Sequence, residues 1–391
     1  VGIAWDPFGD GKTSVRSSFG IFYGSSGGNP INQSSDTQPF SVRQTFNNVA
    51  SLADPYGFLP GGVSPFPYLY TPGNARFLYP ANIQGISMDY ASPYSYQMNF
   101  SIQRQVGRNT SFMVAYNSTL VHKIPVSPDL NYPVYRAGAT TTKINDRRPY
   151  LPGVLSSVSM LKSILNSAYH GVQITGEKRY SRNFQVRGFL TIGKGLDTIN
   201  TQNSTGQTAT DWNNIRLDRG RANNDRRYTA TISGNWELNY FRNTPRVVRA
   251  VADGWSVAFI GTARSGPPLS ISSGVDTNVD GTNDRADIIG NPFLDPNRPR
   301  NEVVAMWFDP RAFARPSNGM VGTSARDFLE GPGMKNVDLS IRRAFRLGER
   351  KVVEFRGDAT NAFNIVNLSS PGTSINSSAN VGRISTAGPI R

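Results

Sequence analysis

The 391-residue chain carries 41 Lys and Arg against 27 Asp and Glu, a formal charge of +14, and it contains no cysteine. Disulfides and thiolate metal sites are therefore excluded, and no run approaches the ~18 apolar residues that a membrane-spanning helix needs. The excess positive charge suits an anionic partner such as lipid headgroups, an acidic ligand or nucleic acid; arginine-rich loops and an arginine-lined interior would also sum to it.

Alternation of apolar and polar residues at every second position marks strands along the whole chain. A weakly alternating segment at 2–8 is followed by "TSVRSSFGIFY" at 13–23. In "SYQMNFSIQRQVG" (95–107), Tyr96, Met98, Phe100, Ile102 and Val106 share one face, and Gln97, Asn99, Ser101, Gln103 and Gln105 share the other. Segments at 111–118, 154–165 (weak), 168–180 and 184–196 come next. In 227–240 the set Tyr228, Ala230, Ile232, Trp236, Leu238 and Tyr240 opposes Thr229, Thr231, Ser233, Asn235, Glu237 and Asn239. After 255–264 and 336–345, the segment 351–364 sets Val353, Phe355, Gly357, Ala359 and Phe363 against Glu354, Arg356, Asp358, Thr360 and Asn364. The total is about eleven strands. Many exceed the five or six residues usual in soluble sheets and reach the ~9–11 of a tilted membrane strand.

The connections fall into two kinds. Short turns lie at 9–12, 107–110, 180–183 and 347–350, whereas 24–92, 119–153, 198–226 and 265–334 are long and rich in Pro, Gly, Asn and Ser. Tight turns on one side and extended loops on the other are the pattern of an outer-membrane barrel. Aromatics fit the same scheme: Trp5, Tyr180, Phe184, Tyr240, Trp255 and Phe345 lie on the apolar parity near the shorter connections, and Tyr23, Tyr96 and Tyr228 near the long loops. Three basic residues on that parity, Arg104, Lys194 and Arg343, sit near strand ends. There the cost of a charge falls from ~2–4 kcal/mol at the midplane to about 0–1. The fold class is all-β: an antiparallel transmembrane β-barrel with hydrocarbon on the apolar side and a wet interior on the other, with long extracellular loops and short periplasmic turns.

Two clusters stand out as sites. In "DTNVDGTNDRAD" (276–287), Asp276, Asn278, Asp280, Thr282, Asp284 and Asp287 fall at the ligand positions of a calcium loop, with Gly281 at its sharp turn. Ca2+ is thus the one cofactor the sequence raises, the alternative being an exposed Asp/Asn/Gly turn cluster. In "NNIRLDRGRANNDRR" (213–227), Arg216, Arg219, Arg221 and Arg226 could hold lipopolysaccharide or an acidic ligand, or could form ion pairs with Asp218 and Asp225. "GDGKTS" (9–14) fails as a phosphate loop because Asp6 stands where a glycine is needed and a strand follows. His122 and His170 lack the context of a nucleophile system, and no catalytic constellation emerges, so the chain reads as a non-enzyme. Nucleic-acid binding would put aromatics on the basic face, and here they alternate away from it.

The order of the segments resembles the barrel part of Oar-like TonB-dependent receptors of the bacterial outer membrane. The resemblance runs from "GIAWDPFGDGKTSVRSSFGIFYG" through "SAYHGVQITGEKRYS" and "DRGRANNDRRYTATISGNWEL" to "WFDPRAFARPSNGMVGTSARDFLEGPGMKNVDLSIRRAF" and "EFRGDATNAFNIVN". It implies a barrel of about 22 strands, with an N-terminal plug, energised through TonB, that imports a ligand too large or scarce for diffusion. Residues 1–391 would then be a partial barrel domain of about half the strands, lacking the plug, the TonB box and the final strand. The expected partners are outer-membrane lipid and lipopolysaccharide, the plug and TonB of the full-length protein, and an unidentified imported ligand. A structural or adhesive outer-membrane protein with large binding loops is the alternative, to be told apart by a plug upstream.

Overall fold

The computed structural model describes residues 1–25, 79–199, 209–241, 244–347 and 351–388, with a few positions between 37 and 77. Its strands are β1 (Gly2–Trp5), β2 (Thr13–Tyr23), β3 (Ala81–Ile86), β4 (Tyr94–Val106), β5 (Thr110–Val126), β6 (Leu155–Ser181), β7 (Phe184–Asp197), β8 (Gly220–Arg221), β9 (Tyr228–Leu238), β10 (Trp255–Arg264), β11 (Pro268–Leu269), β12 (Asp287–Ile288), β13 (Phe313–Ala314), β14 (Leu329–Glu330), β15 (Met334–Leu347) and β16 (Lys351–Ala359). Two short helices, α1 (Arg246–Ala252) and α2 (Arg300–Ala305), lie in connections.

One 12-stranded sheet dominates, with β1-β2-β4-β5-β6-β7-β9-β10-β15-β16 as its path, every neighbour antiparallel along it. β3 adds to β6 in parallel and β8 to the end of β7. Among the described residues the outer strands β1 and β16 do not pair with each other. Register carries the alternation from strand to strand. Phe19 faces Met98, Phe100 faces Tyr116, Val114 faces Ile174, Ile174 faces Leu190, and Leu190 faces Ala230. The row continues with Trp236 opposite Val257, Val257 opposite Ile341, and Arg343 opposite Phe355. Each apolar set therefore meets its own kind, and a slip of one residue anywhere would turn a strand's apolar row to the wrong side.

That row is not covered by the protein itself. Val114 is 50% exposed, Ile192 52% and Ile232 48%, values that a soluble sheet would bury and that a face solvated by hydrocarbon leaves open. On the opposite face polar side chains bond across strands: Asn99 Nδ2 donates to Asn117 Oδ1 at 2.7 Å and Ser256 Oγ to Asn235 Oδ1 at 2.8 Å.

Several expectations change in detail. The segments 154–165 and 168–180 are one strand, β6, of 27 residues. Its first half carries apolar side chains on both parities because Leu161 and Leu165 are buried at 3% and 0% exposure. β5 likewise runs on to Val126, with register shifts between Val121 and Pro125. β16 ends at Ala359, where the Asp338 carboxylate takes the Asn361 amide and the Ala362 amide donates to the Val337 carbonyl. β1 ends at Trp5 because the Asp6 carboxylate draws the Phe8 and Gly11 amides into a turn. The connection between β9 and β10 is not tight and contains α1.

A bulge between Lys178 and Ser181 puts Ser181 opposite Phe184, so Tyr180 moves off the apolar parity. Its hydroxyl donates to Glu237 Oε2 at 2.5 Å, on the polar face. Further basic residues join the three expected on the apolar face: Lys178 faces Val186, Lys335 faces Ala263 and Lys351 faces Leu347. The Lys178 ammonium is satisfied at the turn by Ser181 O, Ser181 Oγ and Phe184 O, each at 2.9 Å. Arg104 donates to Thr13 Oγ1 at 3.1 Å, and the Arg343 guanidinium lies 4.5 Å from the Phe345 ring centre. Charges on this face thus find partners beside them.

The faces predict opposite outcomes for adjacent substitutions. Leu190→Arg or Ile232→Arg should cost roughly 2–4 kcal/mol and impair outer-membrane assembly, whereas Thr191→Arg or Thr231→Arg should be tolerated. Heat-modifiable gel migration of the full-length protein checks this, and equal effects on both parities would overturn the membrane assignment.

Candidate functional site

The described parts of the long connections share one end of the wall, and there they fold into a cap; most of 24–92 lies outside the described residues. Although rich in Pro, Gly and Asn, they carry enough apolar residues for two small cores. Leu269, Ile271, Ala286, Phe308, Ala312, Phe313 and Leu329 form one, with Trp307 and Phe328 against it. Val126, Leu165, Ile199 and Ala209 form the other, where the extended β5 and β6 meet the segment after β7. The pairs β11–β14 and β12–β13 cross within the cap. The stretch after β16 joins it through Trp307 N to Gly382 O (2.7 Å) and Ile384 N to Val304 O (2.9 Å).

Buried charge pairs tie these segments together. Asp218, 4% exposed, takes Arg285 Nη1 at 2.6 Å, and the Thr210 hydroxyl donates to the same carboxylate oxygen at 2.6 Å. Arg326 pairs with Asp197 and donates through Nε to the Asp218 carbonyl at 2.8 Å. Arg148 holds Asp129 at 2.6 Å. Removing one member of such a pair leaves the other charge buried and unpaired, at about 3–5 kcal/mol. The described loop segments are consequently tied to one another and to the end of β7.

The acidic segment forms a network of hydrogen bonds within the loop. Asp276 accepts the Asp280 and Gly281 amides at 3.0 and 2.8 Å. Asp280 accepts the Thr282 amide and hydroxyl, both at 2.7 Å, together with the Asn278 amide group at 2.9 Å and the Tyr132 hydroxyl. Asp284, 4% exposed, turns to the Thr277 amide and hydroxyl at 2.7 and 2.8 Å. Asp287 takes the Thr323 amide at 2.9 Å from another segment. The oxygens that a calcium loop would offer are spent on the loop's own donors, and among the described residues no three His, Cys, Asp or Glu side chains converge on a metal position. Burial of Tyr132, with the Asp280 carboxylate beside it, pushes the phenol far above its ordinary pKa, so it remains a neutral donor.

The four arginines separate. Arg216 and Arg219 are exposed on the 3-10 turn Ile215–Asp218 and just after it. Arg221 is drawn inward: Nε meets Asp225 Oδ2 at 2.8 Å and Nη1 meets Glu330 Oε2 at 3.4 Å. Arg226 Nη1 donates to the Asn223 and Asp225 carbonyls at 3.3 and 2.7 Å. Sequence reasoning placed neither Arg264 nor Glu330 in this group. Arg264 ends an alternating strand on the polar parity, which was a usable signal; Glu330 offers none, since it arrives from a segment more than a hundred residues away. His122 and His170 pair with Asn166 and Tyr116, at 3.1 and 2.7 Å, and hold no catalytic arrangement.

A strand wall with an apolar outer row, a polar inner row and a folded cap at one end is the architecture of an outer-membrane barrel protein. Residues 1–391 match the family described as "Outer membrane beta barrel domain", and the chain belongs to that family. The protein is therefore one of the bacterial outer membrane. Solved structures similar to it include the outer membrane transporter YddB from Escherichia coli, at 8% identity and TM-score 0.52 over 93% of this chain and 36% of that one. The ferric-catecholate import receptor Fiu from E. coli K12 has 11% identity and TM-score 0.41 over 98% and 32%, and the FrpB iron transporter from Neisseria meningitidis 10% and 0.41 over 93% and 34%. At these identities the likeness is one of fold, and the chain spans about a third of their length. No match was found among curated proteins.

Two substitutions test the cap. A Cβ on Gly322 would stand 2.0 Å from the Arg285 carbonyl oxygen, so Gly322→Ala should force the two segments apart. A loss of about 1–3 kcal/mol is expected, read as faster proteolysis of the cap with the wall intact. Burial raises the Asp284 pKa above its ordinary value, against the lowering pull of Thr277 and the Asn278 amide. A raised folded pKa makes the group's contribution complete below the ordinary carboxylate pKa and progressively lost as pH rises through the raised value. Asp284→Asn keeps an acceptor without the charge and should gain on the parent as pH rises. Hydrogen exchange at the Thr277 and Asn278 amides, with and without calcium, checks this; a calcium-dependent difference would contradict the turn-cluster alternative.

Proposed function

We propose that the chain is part of the barrel of an energised, TonB-dependent outer-membrane receptor that takes up a ligand captured by the cap. The observation that carries the reading is the cap standing at one end of a continuous polar face. Buried ion pairs hold its described segments in one arrangement, which lowers the ordering cost of binding a solute there, and the polar rows of β4, β7 and β9 continue from that surface toward the tight-turn end. Membership of the outer membrane barrel family and the fold shared with a structure described as an outer membrane transporter support it. In this account a plug domain and TonB are partners of the full-length protein, lipopolysaccharide and lipid contact the apolar face, and the chain binds and passes its ligand without altering it chemically. Neither nucleic acid nor a resident metal is required.

The test is capture of the detergent-solubilised full-length protein on immobilised periplasmic TonB domain, beside conductance in a planar bilayer. The proposal expects capture, with no steady open-pore current. Absence of capture, with or without current, overturns it in favour of a passive pore or an adhesive surface protein.

A further inference from the structure

Where the cap joins the wall, Arg221 and Arg227 reach two carboxylates, Asp225 and Glu330, with Arg226 next in the chain and Arg264 at the adjoining strand end. Arg221 meets Asp225 at 2.8 Å and Glu330 at 3.4 Å, and Arg227 reaches the same Glu330 oxygen at 4.0 Å. Asp225, 5% exposed, is fully engaged, since its other oxygen accepts the Gly195 amide at 2.8 Å. Arg226 donates only to main-chain carbonyls among its described hydrogen bonds. Arg264 stands at the cap end of β10 opposite Thr229, two residues along from Arg227, and on the parity of Ser256 and Thr262. Burial lowers the Arg226 pKa, with Arg264 adding to the fall and Asp225 opposing it.

Local charge is therefore unbalanced by two units, and one donor is left over. The Arg221 side chain is only 12% exposed, and its Nη2 is buried without a hydrogen-bond partner among the described residues. A buried unsatisfied guanidinium nitrogen costs free energy that a charged acceptor would recover. Arg264 stands on the polar parity at the cap end, where the path proposed above opens, so a solute is placed to reach it.

We infer that Arg221, Arg226, Arg227 and Arg264 form an oxyanion-binding site, fitted to a compact group of two negative charges such as a phosphate or a close pair of carboxylates. Guanidinium forks suit such groups because they offer paired donors in a plane. Glu330 competes for the same arginines and acts as an internal stand-in for the ligand's charge. The site deepens the receptor reading and gives the captured ligand an anionic group.

Calorimetric titration of the full-length protein with inorganic phosphate, with citrate and with chloride at matched ionic strength tests the inference. Saturable binding of phosphate or citrate is expected, citrate alone pointing to paired carboxylates and phosphate alone to a phosphoryl group. Arg264→Gln and Arg226→Gln should each weaken it roughly tenfold. Glu330→Gln should tighten it, a direction that a purely structural role for the cluster would not give. Heat-modifiable migration of each variant verifies folding, and Arg264, exposed at a strand end, can be changed with little risk to the wall. No saturable binding, equal affinity in the parent and Arg264→Gln, or weaker binding in Glu330→Gln overturns the site. Capture by TonB without oxyanion binding would sink this inference alone, and oxyanion binding without capture would sink the transport reading alone.

Discussion

In hydrocarbon a backbone amide or carbonyl has no water to turn to, so each must be paired by the neighbouring strand. This constraint fixes the structure from β1 to β16. Strands must be long enough to span, they must lie antiparallel in an unbroken path, and their registers must agree, because each is at once partner and template for the next. Once register is fixed, the period of two decides which side chains meet lipid. The apolar row from Phe19 to Phe355 is the consequence of that agreement across eight strand pairs, and the polar row behind it comes with it.

The cap obeys different physics. It lies outside the hydrocarbon, where water competes for every polar contact, and its apolar clusters are small. Its order comes from charge pairs buried deeply enough to exclude that competition: Arg285 with Asp218, Arg326 with Asp197 and Arg148 with Asp129. Close backbone approaches, such as Gly322 against Arg285, let the segments come near enough for these pairs to form. These pairs hold the described cap segments in one arrangement at the end of the polar face, which is what the proposal of ligand capture there rests on.

Strand identity was legible wherever the two faces see different solvents. Segments such as 95–107 and 227–240 alternate strictly because one side meets lipid and the other meets polar groups, and the structure places them as β4 and β9. Alternation fails where both sides meet protein. In the first half of β6, Leu161 and Leu165 pack into the cap, so a single strand reads as two. A bulge is also silent, and Tyr180 changes face through a one-residue shift that composition does not mark. The cap was least legible. Arg326 and Asp197 are separated by 129 positions, a distance over which spacing carries no information. The acidic loop was legible only as an alternative, because oxygen side chains at alternate positions serve equally to ligate calcium and to cap their own amides.

The central claim is that one parity of the wall faces lipid and the other a polar interior. Because this stretch contributes no cysteine, single nitroxide labels can be placed at each position from 228 to 238 of the full-length protein in a bilayer. Collision with oxygen should peak at even positions, Ala230, Ile232, Trp236 and Leu238 among them, and collision with a water-soluble nickel complex at odd ones, Thr229, Thr231 and Asn235 among them. A flat profile, or the opposite phase, would contradict the account.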